Sequence, residues 1–329
     1  MVKGRVEADR WRHAERAGGP AAGEVVAHPP ASWGLAARGA LVEAGGPPLT
    51  GTDLDEKMAV WSDLAPRLYA QAAAGQWDPE TAVDWSAPFE LPSPVEGAVV
   101  QVMTYLVENE QAALLVPARF LGRIHPQFRE VMALLAVQVA DEARHVEVFT
   151  RRAMRRGGPM GTSGVGGRSS LQTLLDEPDF PAASLLLSVL GEGTFLNLLS
   201  FLEQHGPDPI TRRISRLALQ DESRHVAFGI GHLQHHLARD PDLIGRLAAA
   251  VERRHDALRQ TAGLNADTFD ALVVLAAGAW TPSSLAAGWA RVQQLQADMA
   301  DGRRRRLVRL GFPAVDADRL AALHTRNFM

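Results

Sequence analysis

The sequence predicts an all-α protein: a four-helix bundle with additional C-terminal helices and an irregular N-terminal arm. Three observations predict it. From Val95 onward apolar residues recur at helical spacing, while the period-two alternation of strands is scarce. Two apolar stretches carry nearly the same pentad, DEARH at 141–145 and DESRH at 221–225. With 46% hydrophobic and 22% charged residues, the 329-residue chain has ample material for a core.

Residues 17–51 are rich in Gly, Ala and Pro and read as a loosely ordered arm. A helical pattern covers 53–76, with Pro66 expected to interrupt it. Residues 77–94 are loop chemistry with Trp anchors. Helices are then expected near 95–122, 126–157, 181–204, 208–238, 241–262, 266–300 and 315–327. Between them, 157–170 reads as a flexible glycine-rich connection joining two helical hairpins. It lacks a P-loop lysine and comes after a helix rather than a strand, so it is no phosphate cradle. The expected organisation is an arm over 1–94, the bundle over 95–238 and C-terminal helices over 239–329.

Composition narrows the function classes. The formal net charge is −4, and the RRRR run at 303–306, read as a solvated helix face, is the one sustained basic block. No nucleic-acid partner is expected. The absence of cysteine removes disulfides, thiolate metal sites and Cys nucleophiles. The first residues contain no apolar signal core and no run of 18 apolar residues occurs, so neither a signal peptide nor a membrane partner is expected. The expected location is cytoplasmic.

The repeated pentad carries the chemistry. On a helix, residues three apart share a face, so Glu142 projects with His145 and Glu222 with His225. A carboxylate and an imidazole from each of two helices can hold two metal ions when two further helices each add one Glu. Each pentad should therefore come after a helix with a lone Glu on its apolar stripe. Glu110 interrupts the stripe of Met103, Leu106, Val107, Ala113, Leu114 and Pro117, whereas Glu108 shares a polar face with Gln101, Thr104 and Gln111. Glu192 interrupts the stripe of Leu185, Ser188, Val189, Phe195, Leu196 and Leu199. A buried carboxylate is costly unless paired or metal-bound. The set is Glu110, Glu142, His145, Glu192, Glu222 and His225. Its spacing repeats, 142 − 110 = 32 and 222 − 192 = 30, as if one hairpin were used twice.

Neighbouring motifs have plainer readings. The ERRH at 252–255 is a third Glu-x-x-His without a preceding Asp, and it reads as an exposed helix face. His232 shares a face with His225 and reads as a packed histidine. Trp77, Trp85 and Trp280 read as core or interface anchors rather than an electron path. Thr194 and Asn197, just after Glu192, are candidates for lining an oxygen or substrate pocket, or else for helix packing.

Over about residues 95–238 the pattern resembles the ferritin-like diiron-carboxylate superfamily. The segments are most similar to the hydroxylase subunit of bacterial multicomponent monooxygenases, in which NEQAA-like and DEARH-like segments carry the metal ligands. The resemblance implies that Asp141 and Asp221 are hydrogen-bond partners of a ligand His, fixing its tautomer. Arg144 and Arg224 would balance the buried acids. A ribonucleotide reductase small subunit keeps a Tyr where this chain has Phe149. An arylamine N-oxygenase adds a third His where this chain has Ala218, matched by Gln138 in the first pentad. Gln138 and Phe149 join Thr194 and Asn197 as candidate pocket residues. A storage ferritin is shorter and lacks the arm and C-terminal helices.

Carboxylate-rich sites with two His suit iron or manganese better than zinc. Two Fe2+ ions are the expected cofactor, with manganese an alternative in one or both positions. The implied function is a non-haem diiron O2-dependent oxygenase of specialised metabolism. Its reaction would be C-hydroxylation, N-oxygenation or a related two-electron oxidation of a small organic substrate, free or carrier-tethered. An oxidase or desaturase without oxygen insertion, and a non-catalytic metal-stabilised interaction module, are the alternatives. An external ferredoxin or flavin reductase and a homodimer complete the expected partners.

Overall fold

The structure is a computed structural model that describes residues 56–258 and 266–323, with short pieces at 25–26, 28–29 and 35–40. The predicted arm over 17–51 and the ends of the helices predicted at 53–76, 241–262 and 315–327 lie largely outside the described residues. Among the described residues there are ten helices and no strand, as expected of an all-α chain. They are α1 (Ala65–Ala74), α2 (Ser93–Leu121), α3 (Arg129–Ala153), α4 (Val165–Leu175) and α5 (Phe180–His205). Next come α6 (Pro209–Leu237), α7 (Leu243–Leu258), α8 (Ala266–Ala277), α9 (Pro282–Arg309) and α10 (Ala314–Ala322).

The hairpins α2–α3 and α5–α6 form the four-helix bundle, joined through α3 against α6. Helix α1 packs on α3, α8 on α2 and α9 on α5. The interior divides into two apolar clusters, and the division falls at the same level in all four bundle helices. One cluster takes Phe120, Leu134, Leu135, Leu190 and Phe228, and the other takes Val99, Met103, Phe149, Phe195 and Ile214. Glu110, the two pentads and Glu192 occupy the polar layer between them. Away from that layer, the fully buried Arg152 joins three helices by donating to Glu96 Oε1 at 2.8 Å and Asp208 Oδ2 at 2.9 Å. Asp208 also caps α6 by accepting from the Thr211 amide at 2.8 Å.

Four sequence expectations need correction. Pro66 does not interrupt a helix; it stands in the first turn of α1, where its missing N–H costs nothing. The connection at 157–170 is not wholly loop. Gln101 exchanges hydrogen bonds with Thr162 at 2.9 and 2.8 Å, Thr104 Oγ1 accepts from the Gly161 amide at 2.8 Å, and from Val165 the chain is helical. The helix predicted over 266–300 is two helices bent by 117°, because Gly278 takes φ +66 and Thr281 caps the next helix. The RRRR run is only partly solvated, since Arg303 is buried and Arg306 points inward.

Helix α5 is long and apolar enough to cross a membrane by length and composition, but 83% of its apolar window is buried inside the bundle. Its middle, Leu185–Glu192, is wound as a π-helix. Such turns are rare and are frequently found at functional sites. Arg306 of α9 donates from Nε to the Val189 carbonyl in this stretch at 2.7 Å. Its guanidinium passes between Gly193 and Gly302, and a Cβ on Gly193 would overlap it.

Candidate metal centre

The six predicted residues converge, and all are buried. Two groups of donor atoms form, each with its atoms within 4.8 Å of one another. One is Glu110, Glu142, His145 and Glu222; the other is Glu142, Glu192, Glu222 and His225. Glu142 and Glu222 belong to both, with Glu110 and Glu192 at the two ends. Glu108 is half-buried and stays outside both groups, as its helix face predicted.

Each imidazole faces two ways. His145 Nδ1 lies 3.1 Å from Glu142 and 3.5 Å from Glu110 and Glu222. His225 Nδ1 lies 3.1 Å from Glu142 and 3.4 Å from Glu222. The opposite nitrogens hydrogen-bond across the bundle: His145 Nε2 to Asp221 at 3.2 Å, and His225 Nε2 to Asp141 at 3.1 Å. Each pentad therefore supplies the Asp that orients the other pentad's His. With Nε2–H donated to an Asp, Nδ1 is left for the carboxylate cluster. Arg144 bonds Asp141 and reaches Asp221 at 3.4 Å; Arg224 bonds Asp221 and reaches Asp141 at 3.8 Å.

Residues from the segment before the bundle complete this layer, and sequence reasoning missed their role. Gln76 Nε2 donates to Asp141 Oδ1 at 3.0 Å, and Trp77 Nε1 donates to Asp221 Oδ2 at 2.7 Å. Trp77 also stacks on His145, with ring centroids 6.4 Å apart. It is thus a hydrogen-bond partner as well as an anchor. Trp85 donates to the Pro79 carbonyl at 2.8 Å, whereas Trp280 is 57% exposed and anchors no core.

Acids buried this close together shift one another's protonation. Burial, then the neighbouring Glu142 charge, raises Glu110 to about 8. Burial, then Glu222, holds Glu192 well above the carboxylate range. Burial alone would lower both histidines, but hydrogen bonds outweigh it and raise them: Asp221 first for His145, Asp141 first for His225. Burial opposes ionisation of the two Asp as well, and the His bonds overcome it and lower both. Several cluster atoms have no hydrogen-bond partner: Glu110 Oε1, Glu142 Oε1, Glu192 Oε2, both Glu222 oxygens and His225 Nδ1. Orphaned buried acceptors are costly, and four converging carboxylates carry the charge that two divalent ions would neutralise. The donor set fits a metal pair.

A small pocket adjoins the cluster between α2, α4 and α5. Glu110, Glu192, Asn109, Leu171, Leu174 and Phe195 are among its walls. Leu171 and Leu174 come from the helix that begins inside the segment expected to be loop. A second small pocket lies beside Gln138, Ser184 and Ser188. Gln138 donates to Glu192 Oε1 at 3.1 Å, and Phe149 packs on His145 at 6.3 Å. Thr194 and Asn197 line neither cavity. The Thr194 hydroxyl is spent on the Leu190 carbonyl at 2.6 Å, and Asn197 lies against Gly302 of α9. His232 is buried between Phe180 and Phe228 and belongs to neither donor group. In the ERRH segment, Arg254 is buried, so that face is not wholly exposed.

No protein-family model matches the sequence, and comparison with the curated proteins finds no match. Solved structures do match in fold. An R2-like ligand-binding oxidase variant with an aerobically reconstituted Fe/Fe cofactor superposes with TM-score 0.58 at 18% identity, over 75% of this chain and 94% of that one. A second variant of it, with a Mn/Fe cofactor, gives TM-score 0.57 at 18% identity and the same coverage. A Synechococcus protein with aldehyde deformylating oxidase activity gives TM-score 0.50 at 19% identity, over 72% of this chain and 98% of that one. The fold of this chain is therefore the ferritin-like helical bundle.

Proposed function

We propose that the chain is a non-haem dimetal oxidoreductase that uses O2 to oxidise a small organic molecule. The observation that carries the reading is the pair of donor groups sharing Glu142 and Glu222. Glu110, Glu142, His145, Glu192, Glu222 and His225 are the metal ligands in this reading, with iron in both positions or manganese in one. When bound, the metal pair supplies the electrons that reduce O2 and the oxidising equivalent that reaches the substrate. The chain's own residues do the rest. Asp141 and Asp221 orient the imidazoles, and Gln76, Trp77, Arg144 and Arg224 hold those Asp residues. Leu171, Leu174, Leu187 and Phe195 keep water from the cavity and present the substrate to the end formed by Glu110 and Glu192.

Within this class we favour oxygen insertion. The fold neighbours named as oxidases support an oxidoreductase equally well without it. Oxygen insertion needs two further electrons, and a ferredoxin or flavin reductase supplies them unless the substrate does, since a cysteine-free chain carries no iron–sulfur cluster of its own. Metal analysis of protein expressed with iron should give about two ions per chain. One or none in folded protein defeats the reading. Turnover under labelled O2 then separates the classes: labelled product marks an oxygenase, and unlabelled product marks an oxidase or desaturase.

A further inference from the structure

The two halves of the metal centre mirror each other in their six ligands but not in what stands behind them. Glu110 and Glu192 occupy corresponding ends of the two donor groups. Gln138 comes one turn before Glu142 on α3, so it shares the inward face of that helix, and it is buried. Its Nε2 donates from α3 to Glu192 Oε1 on α5 at 3.1 Å. One turn before Glu222, the corresponding position on α6 is Ala218, which is fully buried and has no side-chain donor.

The two glutamates differ accordingly. Among the described residues, Glu110 meets no donor outside the six: Oε2 lies 3.5 Å from His145 Nδ1, and Oε1 has no hydrogen-bond partner. Glu192 has one oxygen taken by Gln138 and the other, Oε2, free. It also closes the π-wound stretch that Arg306 bonds from α9, whereas Glu110 stands in an ordinary α-helical turn. A ligand carboxylate that is itself hydrogen-bonded is oriented before an ion arrives. One without such a partner is left for the ion to orient.

We propose that Gln138 is a positioning residue for Glu192 and that it makes the two metal positions unequal. The ion at the Glu192 end meets a carboxylate already held in place, and the ion at the Glu110 end meets one that is not. The proposal rests on the reading of the six residues as metal ligands. The inequality is written into the sequence: the two pentads and their preceding glutamates repeat, while Gln138 and Ala218 break the repeat.

The test is titration of metal-free protein with Co2+ under nitrogen, read by the visible spectrum and by competition with a chelator. Gln138→Met keeps the length of the side chain and removes its donor. It should weaken one equivalent of Co2+ by about 10- to 100-fold, the usual cost of losing such a partner, and leave the other unchanged. Gln138→Asn, which keeps the amide but not the reach, should act the same way. Two backgrounds that each lack one end ligand then show which ion responds. Gln138→Met should weaken the ion that remains in Glu110→Ala and not the ion that remains in Glu192→Ala, a difference that a double-mutant cycle measures. If either background binds no Co2+, the two equivalents of the otherwise unchanged chain decide alone. Equal weakening of both equivalents, as a general loosening of the bundle would give, overturns the proposal. So does a Gln138→Met titration that matches wild type. Failure of the dimetal reading looks different, because wild type itself then takes up fewer than two Co2+ ions, and the proposal falls with it.

Discussion

At the scale of single residues, the site turns on which side chains meet the cluster and which only neighbour it. In the proposed reading Glu110→Ala removes an end ligand and should cost at least half the bound metal, whereas Glu108→Ala should leave metal content unchanged; elemental analysis of the two variants decides between the faces of α2. Asp141→Asn and Asp221→Asn keep the shape but weaken acceptance from the opposite His. Each should lower metal affinity or activity by about 10- to 100-fold, checked by competition with a chelator and by turnover rate. All six cluster residues were legible in the sequence because a lone carboxylate on an apolar stripe has no cheap alternative to a partner. The crossing of the Asp–His bonds was not legible. A pentad fixes only what shares one helix face, and the partner of His145 lies 76 positions away on another helix. Gln76 and Trp77 escaped for the same reason.

At the scale of elements, the informative helix is α5. Its apolar periodicity announced a helix, and the observed one begins and ends within a residue of the predicted 181–204. The π-wound stretch left no such mark, because its widened turn is held by a side chain from α9, 117 residues away. A π turn shifts the register of the residues after it, so the stretch sets where Glu192 points. Arg306→Ala should therefore loosen metal binding at the Glu192 end while the fold survives. Arg306→Lys, which keeps the charge but offers no planar fork, should restore only part of it. Titration with Co2+, read by its visible spectrum, should show the second equivalent weakened and the first little changed. Helix α4 escaped prediction because its first turn holds two adjacent glycines, Gly166 and Gly167, which ordinarily argue against helix.

At the scale of the whole molecule, the polar layer makes stability depend on both pH and metal. Without metal, Glu110 is raised to about 8 and both His are raised, so the folded state holds more protons than the unfolded one. Stability must then fall as pH rises from the ordinary Glu range through about 8. Asp141 and Asp221 act in the opposite sense at the acid end. They are lowered, and their contribution is lost as pH falls below the ordinary Asp range. Protein prepared without metal should melt highest in mildly acidic buffer, and loading with Fe2+ under nitrogen should raise the melting temperature most near pH 8. A metal-induced shift of equal size at pH 5 and pH 8 would contradict this account. Ion binding here displaces protons, so the same experiment should release acid.

The crossed Asp–His bonds also bear on whether the repeated hairpin is a self-sufficient unit. Split in the connection near Gly161, the chain would give two fragments, each with a complete pentad and its preceding Glu. Each fragment would also keep an Asp whose acceptor oxygens were shaped for an imidazole on the other piece. Neither fragment could orient its own histidine, so neither should retain iron alone. Mixed together, they should reassemble and recover it, in the manner of fragment complementation. The internal symmetry is thus a mutual dependence: the two halves are interlocked at the level of two hydrogen bonds, and one cannot be duplicated, lost or exchanged without unmaking the other's metal site.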